Sequence, residues 1–205
     1  MLTKDGFDLW ADEYDNSVGL AAERDTYPFA GYKVLLNEIY NRVLSASQKT
    51  VLDIGFGTGT LSAKLYAKGC SIFGQDFSER MIALAQAKMP LAKLYQGDLS
   101  QGLVYGLKKQ KYDVVIATYS LHHLTDEQKV RLLNELLTLL NDGGCIYVGD
   151  IAFETRQKLE ECRAQTGDEW DDEEHYFVSE ELKRFFPKLK FQRISCCAGL
   201  LSLTK

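Results

Sequence analysis

Long apolar runs are missing from this 205-residue chain, and none approaches the roughly 20 residues that span a bilayer. A membrane partner is therefore not expected. The first residues, "MLTKDGFDLWADEYD", are too acidic and polar for a signal peptide, so the expected location is cytoplasmic. An excess of basic residues is missing too: 24 Lys and Arg face 29 Asp and Glu, a formal charge of -5. Without a basic stripe, a nucleic-acid backbone is not the expected partner. Proline is scarce, at three residues, and no low-complexity linker or internal repeat breaks the chain. One domain over 1–205 is the expectation, as monomer or homodimer. The five cysteines, Cys70, Cys145, Cys162, Cys196 and Cys197, form no C-x-x-C pair. They do not alternate with histidine at metal-ligand spacing either, so no metal is expected and the thiols read as reduced and structural.

What the chain does have is an alternation of short apolar runs with helical patterns. "KTVLDIG" (49–55), "CSIFGQD" (70–76), "AKLYQGD" (92–98), "YDVVIATY" (112–119) and "GCIYVGDI" (144–151) read as strands of a parallel sheet buried on both faces. Three helical stretches lie between them. One is closed by Gly69, and one is opened by Ser78 and stopped before Pro90. The third carries a Thr125–Gln128 capping box and a stop at Gly143-Gly144. Alternating elements of this kind make a doubly wound α/β sheet. Residues 1–46 read as a helical cap, 47–152 as the ligand-binding core, and 153–205 as a substrate-side insertion and closing hairpin. In that hairpin "KLKFQRISC" and "AGLLSL" are the strands, with Ala198-Gly199 as the turn.

"VLDIGFGTGT" (51–60) carries the first chemistry. A glycine turn after a strand brings backbone close to a ligand at the carboxyl end of a sheet. Dinucleotide sites use G-x-G-x-x-G, but here the glycines are Gly55, Gly57 and Gly59, with Thr60 at the next position. Asp53 stands just before the turn, where its charge would repel a pyrophosphate. A ligand bearing a cation and no phosphate suits such a site, and S-adenosylmethionine, with an ammonium and a sulfonium, is one. Asp76 ends the second strand where an acid accepts from ribose hydroxyls. An acid in that position, facing ligand, is expected to add little to the core. Phe77 is placed to lie against adenine. Asp98, at the end of the third strand, reads either as an acceptor for an exocyclic amine, with the Leu99 amide nearby, or as a helix cap.

"VLDIGFGTGTL", "GQDFSERMIALAQAK", "YQGDL", "YDVVIATYSLHHL" and "LLNDGGCIYVGDI" occur in the order and spacing of class I S-adenosylmethionine-dependent methyltransferases, which the chain resembles over nearly its whole length. It resembles in particular the small bacterial YrrT-like methyltransferases, which share "WADEYDNSV", "TYSLHHLTDEQK" and "DIAFET". The resemblance implies a Rossmann-like seven-stranded sheet, mostly parallel, whose last two strands form an antiparallel hairpin. It assigns Asp53, Gly55, Gly57 and Gly59 to the methionine end of the cofactor and Asp76 to its ribose. Phe77 and Met81 become apolar neighbours, Asp98 and Leu99 the adenine contacts, and Thr118 and Tyr119 positions near the methionine end. Phe56 departs from the pattern, where a smaller residue is common, and should narrow the turn.

Other positions keep two readings. His122 and His123 are candidate proton acceptors at the methyl-acceptor site, or structural; as neighbours on an incipient helix they are not expected to share a face. Tyr14 reads as a lid over the cofactor or as packing beside Trp10. Tyr27 has the same two readings. "DEWDDEE" (168–174) reads as a solvated loop or as a rim favouring a cationic acceptor. The expected activity is methyl transfer to a small-molecule acceptor with release of S-adenosylhomocysteine. Three alternatives stand beside it: a silent binder of the cofactor that regulates a partner, a nicotinamide-dependent reductase disfavoured by Asp53 and the glycine spacing, and a methylase of RNA or protein.

Overall fold

The computed structural model describes residues 26–45 and 50–205. The parallel strands β1 (Thr50–Ile54), β2 (Ser71–Asp76), β3 (Lys93–Gln96), β4 (Tyr112–Thr118) and β5 (Leu140–Phe153) form the sheet with the later β8 (Ala198–Thr204) and β7 (Lys190–Arg193). The order is β3-β2-β1-β4-β5-β8-β7, with β8 antiparallel to both neighbours. The expected seven strands are joined by a two-residue β6 (Phe177–Val178) that pairs with Ala152–Phe153.

Side chains that alternate along the strands feed two cores. Val51, Val114 and Ile116 face α1 (Tyr32–Ser45), α2 (Thr60–Tyr66), α3 (Glu79–Lys88) and α5 (Arg156–Thr166). Leu52, Ile54, Val115 and Ala117 face α4 (Asp126–Thr138) and the stretch after α6 (Ser179–Leu182). Burial on both faces explains why these strands read as unbroken apolar runs. No described helix is long and apolar enough to cross a membrane.

Local signals act as anticipated at two helix starts. Ser78 accepts from the Met81 amide at the start of α3, and Thr125 and Gln128 form a complete capping box on α4. Gly143-Gly144 is not the stop of α4. That helix ends at Thr138, and the glycines fall inside β5, where the register against β4 slips between Tyr112 and Val114. The slip is held by Asn141 Nδ2, which donates to Asp113 Oδ1 at 2.6 Å, and a Cβ on Gly144 would stand 2.9 Å from the Asp113 carbonyl.

The hairpin turn is also displaced. Ala198 and Gly199 belong to β8, and Ile194–Cys197 make the turn. Ser195 explains this, because its hydroxyl accepts from the Ala198 amide at 3.0 Å and donates to the Ala30 carbonyl at 2.7 Å. The turn is thereby fixed to the segment leading into α1.

Candidate functional site

The chain steps outward from β1 to β3 and then returns to β4, so β1 and β4 flank the point where strand order reverses. Ligands of open α/β sheets bind beyond the carboxyl ends of strands at such a point. A cavity opens there, lined by Asp53, the turn from Gly55 to Thr58, Thr118 and Tyr119, and closed by Tyr32, Leu36, Thr60 and Leu61. The Tyr32 and Tyr119 rings pack with centroids 5.2 Å apart and planes tilted by 45°, and Tyr119 adopts φ 48°, a left-handed backbone that is uncommon for a tyrosine.

Asp53 is the electrostatic centre of this cavity. Its carboxylate is buried, and Ser62 Oγ donates to Oδ2. Among the described residues Oδ1, also buried, has no hydrogen-bond partner. Burial, with Asp76 adding like charge, pushes the Asp53 carboxyl up to about 7. A buried carboxylate oxygen without a donor is costly unless a ligand completes it.

The glycine turn is shaped by close approach on one side and open space on the other. A Cβ on Gly55 (φ 66°) would lie 2.4 Å from Ser120 Cβ, whose hydroxyl donates to the Ile54 carbonyl at 2.8 Å. A Cβ on Gly57 (φ 55°) would meet nothing within 4 Å and would project into open space. Phe56 is buried and accommodated by Gly74, where a Cβ would stand 2.5 Å from its ring.

Asp76 ties the turn to the second strand. Its Oδ2 accepts from the Gly57 amide at 2.8 Å and its Oδ1 from the Ser78 amide at 3.0 Å. Beyond it Phe77 is 38% exposed, whereas Met81 is buried beneath. Asp98 is exposed and caps a short 3₁₀ turn, accepting from the Ser100 amide at 2.8 Å, with Leu99 half-buried beside it.

A second constellation follows β4. Asp150, fully buried in β5, accepts from His122 Nδ1 at 2.6 Å and from the Leu121 amide at 3.1 Å. Burial alone would raise Asp150, but the neighbouring imidazole holds it below the ordinary carboxylate range. Burial alone would lower His122, and Asp150 instead holds it above the ordinary range. Glu174 reaches in from the acidic stretch, its Oε1 lying 3.5 Å from His122 Nε2 and 3.7 Å from His123 Nδ1. Burial and the adjacent His122 bring His123 down to about 4. Tyr27, Trp170 and Tyr176 pack beside this group, with Tyr27 stacked on Trp170 at 5.3 Å and hydrogen-bonded to the Tyr176 hydroxyl.

Residues 51–144 match the family model described as a methyltransferase domain. An uncharacterized methyltransferase from Geobacillus kaustophilus is 33% identical over 195 residues, covering 91% of this chain and 87% of that protein. One from Anoxybacillus flavithermus is 35% identical over 156 residues, 76% of this chain and 70% of that protein. The chain belongs to the methyltransferase family. The fold agrees with solved structures: DhpI in complex with S-adenosylhomocysteine superposes with a TM-score of 0.71 at 16% identity, over 97% of this chain and 93% of that one. Magnesium protoporphyrin IX methyltransferase from Synechocystis, with bound S-adenosylhomocysteine, gives 0.67 at 19% identity over 88% and 85%.

In this methyltransferase the cavity brings together Asp53, Gly55, Gly57, Thr118 and Tyr119 of the sequence-predicted set. Asp76, Phe77, Asp98 and Leu99 lie at or just beyond the carboxyl ends of β2 and β3, Gly59 stands at the N-terminal cap of α2, and Met81 is buried in α3. Tyr14 lies outside the described residues. Tyr27 packs on Trp170 and Tyr176 and its hydroxyl accepts from the Asp171 amide, residues that do not line the cavity.

Three residues escaped the sequence reading. Tyr32 sits in an ordinary amphipathic helix and carries no motif. Asp150 was an acid inside an apolar strand, a signal in plain view. Glu174 was hidden in an acidic run that is neither simply solvated nor simply a rim, since Trp170 and Glu174 turn inward while Asp171 and Asp172 stay exposed. The two histidines also converge, against expectation, with ring centroids 4.2 Å apart. The helical turn holding them is only Leu121–His123, and a carboxylate arriving from outside it reaches both rings.

Gly57→Ala is expected to fold with a loss of about 1–2 kcal/mol for a left-handed alanine. Its methyl group would project into the open space beside the turn, and a cofactor bound against that turn should lose at least about ten-fold in affinity, which is about 1.4 kcal/mol. Paired thermal melts and calorimetric titrations check both effects.

Proposed function

We propose that the protein transfers a methyl group from S-adenosylmethionine to a small-molecule acceptor and releases S-adenosylhomocysteine. The observation that carries this reading is Asp53: a buried carboxylate with one oxygen unpartnered among the described residues, set against a turn with Thr60 where a pyrophosphate-binding G-x-G-x-x-G turn has its third glycine. That site favours a cationic ligand end and penalises a phosphate. The donor set fits S-adenosylmethionine, whose sulfonium supplies an already activated methyl carbon when it is bound.

The chain's own residues then bind, orient and exclude water. Asp53 Oδ1 accepts from the ligand's ammonium, and Gly57 leaves room for the methionine end. Asp76 receives the ribose, and Phe77, Asp98 and Leu99 receive the adenine. Tyr32 and Tyr119 line the same cavity and shield it from water. In-line displacement at an activated carbon draws its acceleration from alignment and desolvation, so no general base is required. His122 and His123 do not line the cavity, and no proton transfer is assigned to them.

A small acceptor is supported by the acidic balance of the chain and by the absence of a basic stripe, which disfavour RNA. A screen of metabolites that follows S-adenosylhomocysteine release tests the reading. Turnover with any small acceptor supports it. Tight binding of S-adenosylhomocysteine without turnover on any metabolite, but with a protein partner captured, would favour a regulatory binder instead.

A further inference from the structure

We propose that His122, His123 and Glu174 form a three-ligand site for a divalent transition-metal ion of the zinc class. One ligand atom from each residue lies within 4.8 Å of the other two. Glu174 Oε1 stands 3.5 Å from His122 Nε2 and 3.7 Å from His123 Nδ1. Both distances exceed a good N–H···O hydrogen bond, which runs to about 3.2 Å. Both are close to the roughly 3.3 Å that separates two ligand atoms around a tetrahedral zinc with bonds of about 2.0–2.1 Å. The spacing suits ligands around a shared ion better than it suits a direct hydrogen bond.

The support around His122 is of the kind metal sites require. Metal-bound histidine donates its other ring nitrogen to a carboxylate, which fixes ring orientation and tautomer. Here Asp150 takes His122 Nδ1 at 2.6 Å and leaves Nε2 directed at Glu174. Asp150 is itself held by the Leu121 amide at 3.1 Å. Glu174 is positioned from the other side, because the His175 amide donates to the His122 carbonyl at 2.8 Å and buried Lys129 donates to the His175 carbonyl. Two nitrogens and one carboxylate oxygen suit zinc and its neighbours rather than magnesium or calcium. Three protein ligands leave a fourth tetrahedral position open. Cysteine and histidine spacing along the chain gives no sign of a metal, because this site is completed by a glutamate from a distant loop.

The inference stands on these residues alone, and its test reads metal rather than turnover. Metal-stripped full-length protein is titrated with zinc chloride by calorimetry and with cobalt(II) by visible absorption. One ion per chain is expected, with the intense visible bands of a four-coordinate cobalt site. His123 and Glu174 are partly exposed, at 29% and 21% of the side chain, so His123→Ala and Glu174→Ala should fold even if a change at buried His122 does not. Each should weaken zinc binding at least about ten-fold. His175→Ala, next to the site but outside it, should bind as the parent does. No stoichiometric binding to folded parent overturns the proposal. So does unchanged affinity in both the His123→Ala and Glu174→Ala variants, or a loss confined to His175→Ala.

Discussion

Asp53→Asn is expected to weaken S-adenosylmethionine binding severely while making the ligand-free protein more stable. Asparagine keeps the shape and an acceptor for Ser62 but removes the charge that the cationic ligand end would meet. In the parent that charge is buried with one oxygen unpartnered among the described residues, and burial pushes the carboxyl up to about 7 from 3.8. A raised carboxyl in the folded state favours folding while protonated. Its contribution is fully present below about pH 4 and is lost as pH rises through about 7. At about 1.4 kcal/mol per pH unit, the parent gives up at most about 4 kcal/mol across that window. Asp53→Asn escapes this loss. Its melting temperature should exceed the parent's by several degrees at pH 8, with the gap closing toward pH 4. Affinity for S-adenosylmethionine should drop at least about 100-fold, or about 2.7 kcal/mol. A variant less stable than the parent at pH 8 would show that Asp53 is a structural acid rather than one set aside for a ligand.

Asp76→Ala is expected to lose both cofactor binding and stability. The sequence suggested an acid that faces ligand and leaves the core alone. The structure gives it two backbone amides, Gly57 at 2.8 Å and Ser78 at 3.0 Å. Alanine leaves both donors without that acceptor, at a cost of about 2–4 kcal/mol. For a chain of this size that is a fall of roughly 5 to 15 °C in melting temperature. Melts and a cofactor titration below the variant's transition separate the two losses. If folded Asp76→Ala binds S-adenosylmethionine as tightly as the parent, the ribose does not sit there.

The sheet was legible because its central strands are buried on both faces and its turns carry glycine. Val51 to Ile54 and Tyr112 to Thr118 are buried almost throughout, so their apolar runs mark them directly. The α3 and α4 starts were legible because a single hydroxyl at Ser78 or Thr125 fixes them. Gly143-Gly144 and Ala198-Gly199 misled for one shared reason. Glycine marks a backbone that must bend or approach closely, and a β-bulge or a crowded strand asks for that as much as a helix end does. On Gly199 a Cβ would stand 2.4 Å from the Phe191 ring, which is why a strand residue there is glycine.

The candidate site divides along the same line. Asp53 and the glycine turn lie within one short stretch, where spacing alone can be read. The His122–Asp150–Glu174 group is assembled from β5, the turn after β4 and an insertion loop, and such long-range pairings leave no periodic trace. Asp150 was visible only as a charge in an apolar strand, and a buried charge calls for a partner. His122 is that partner.

Calorimetric titration of S-adenosylmethionine into the parent protein at pH 7.5 and pH 5.5 tests most directly whether Asp53 receives the cofactor's cation. With a carboxyl near 7 in the ligand-free site, binding below that pH must expel a proton, and affinity should fall about ten-fold per unit. The predicted result is one site per chain, bound about 20-fold more tightly at pH 7.5, with proton release at pH 5.5. Folded protein that shows no binding at either pH, or equal affinity at both, would contradict it.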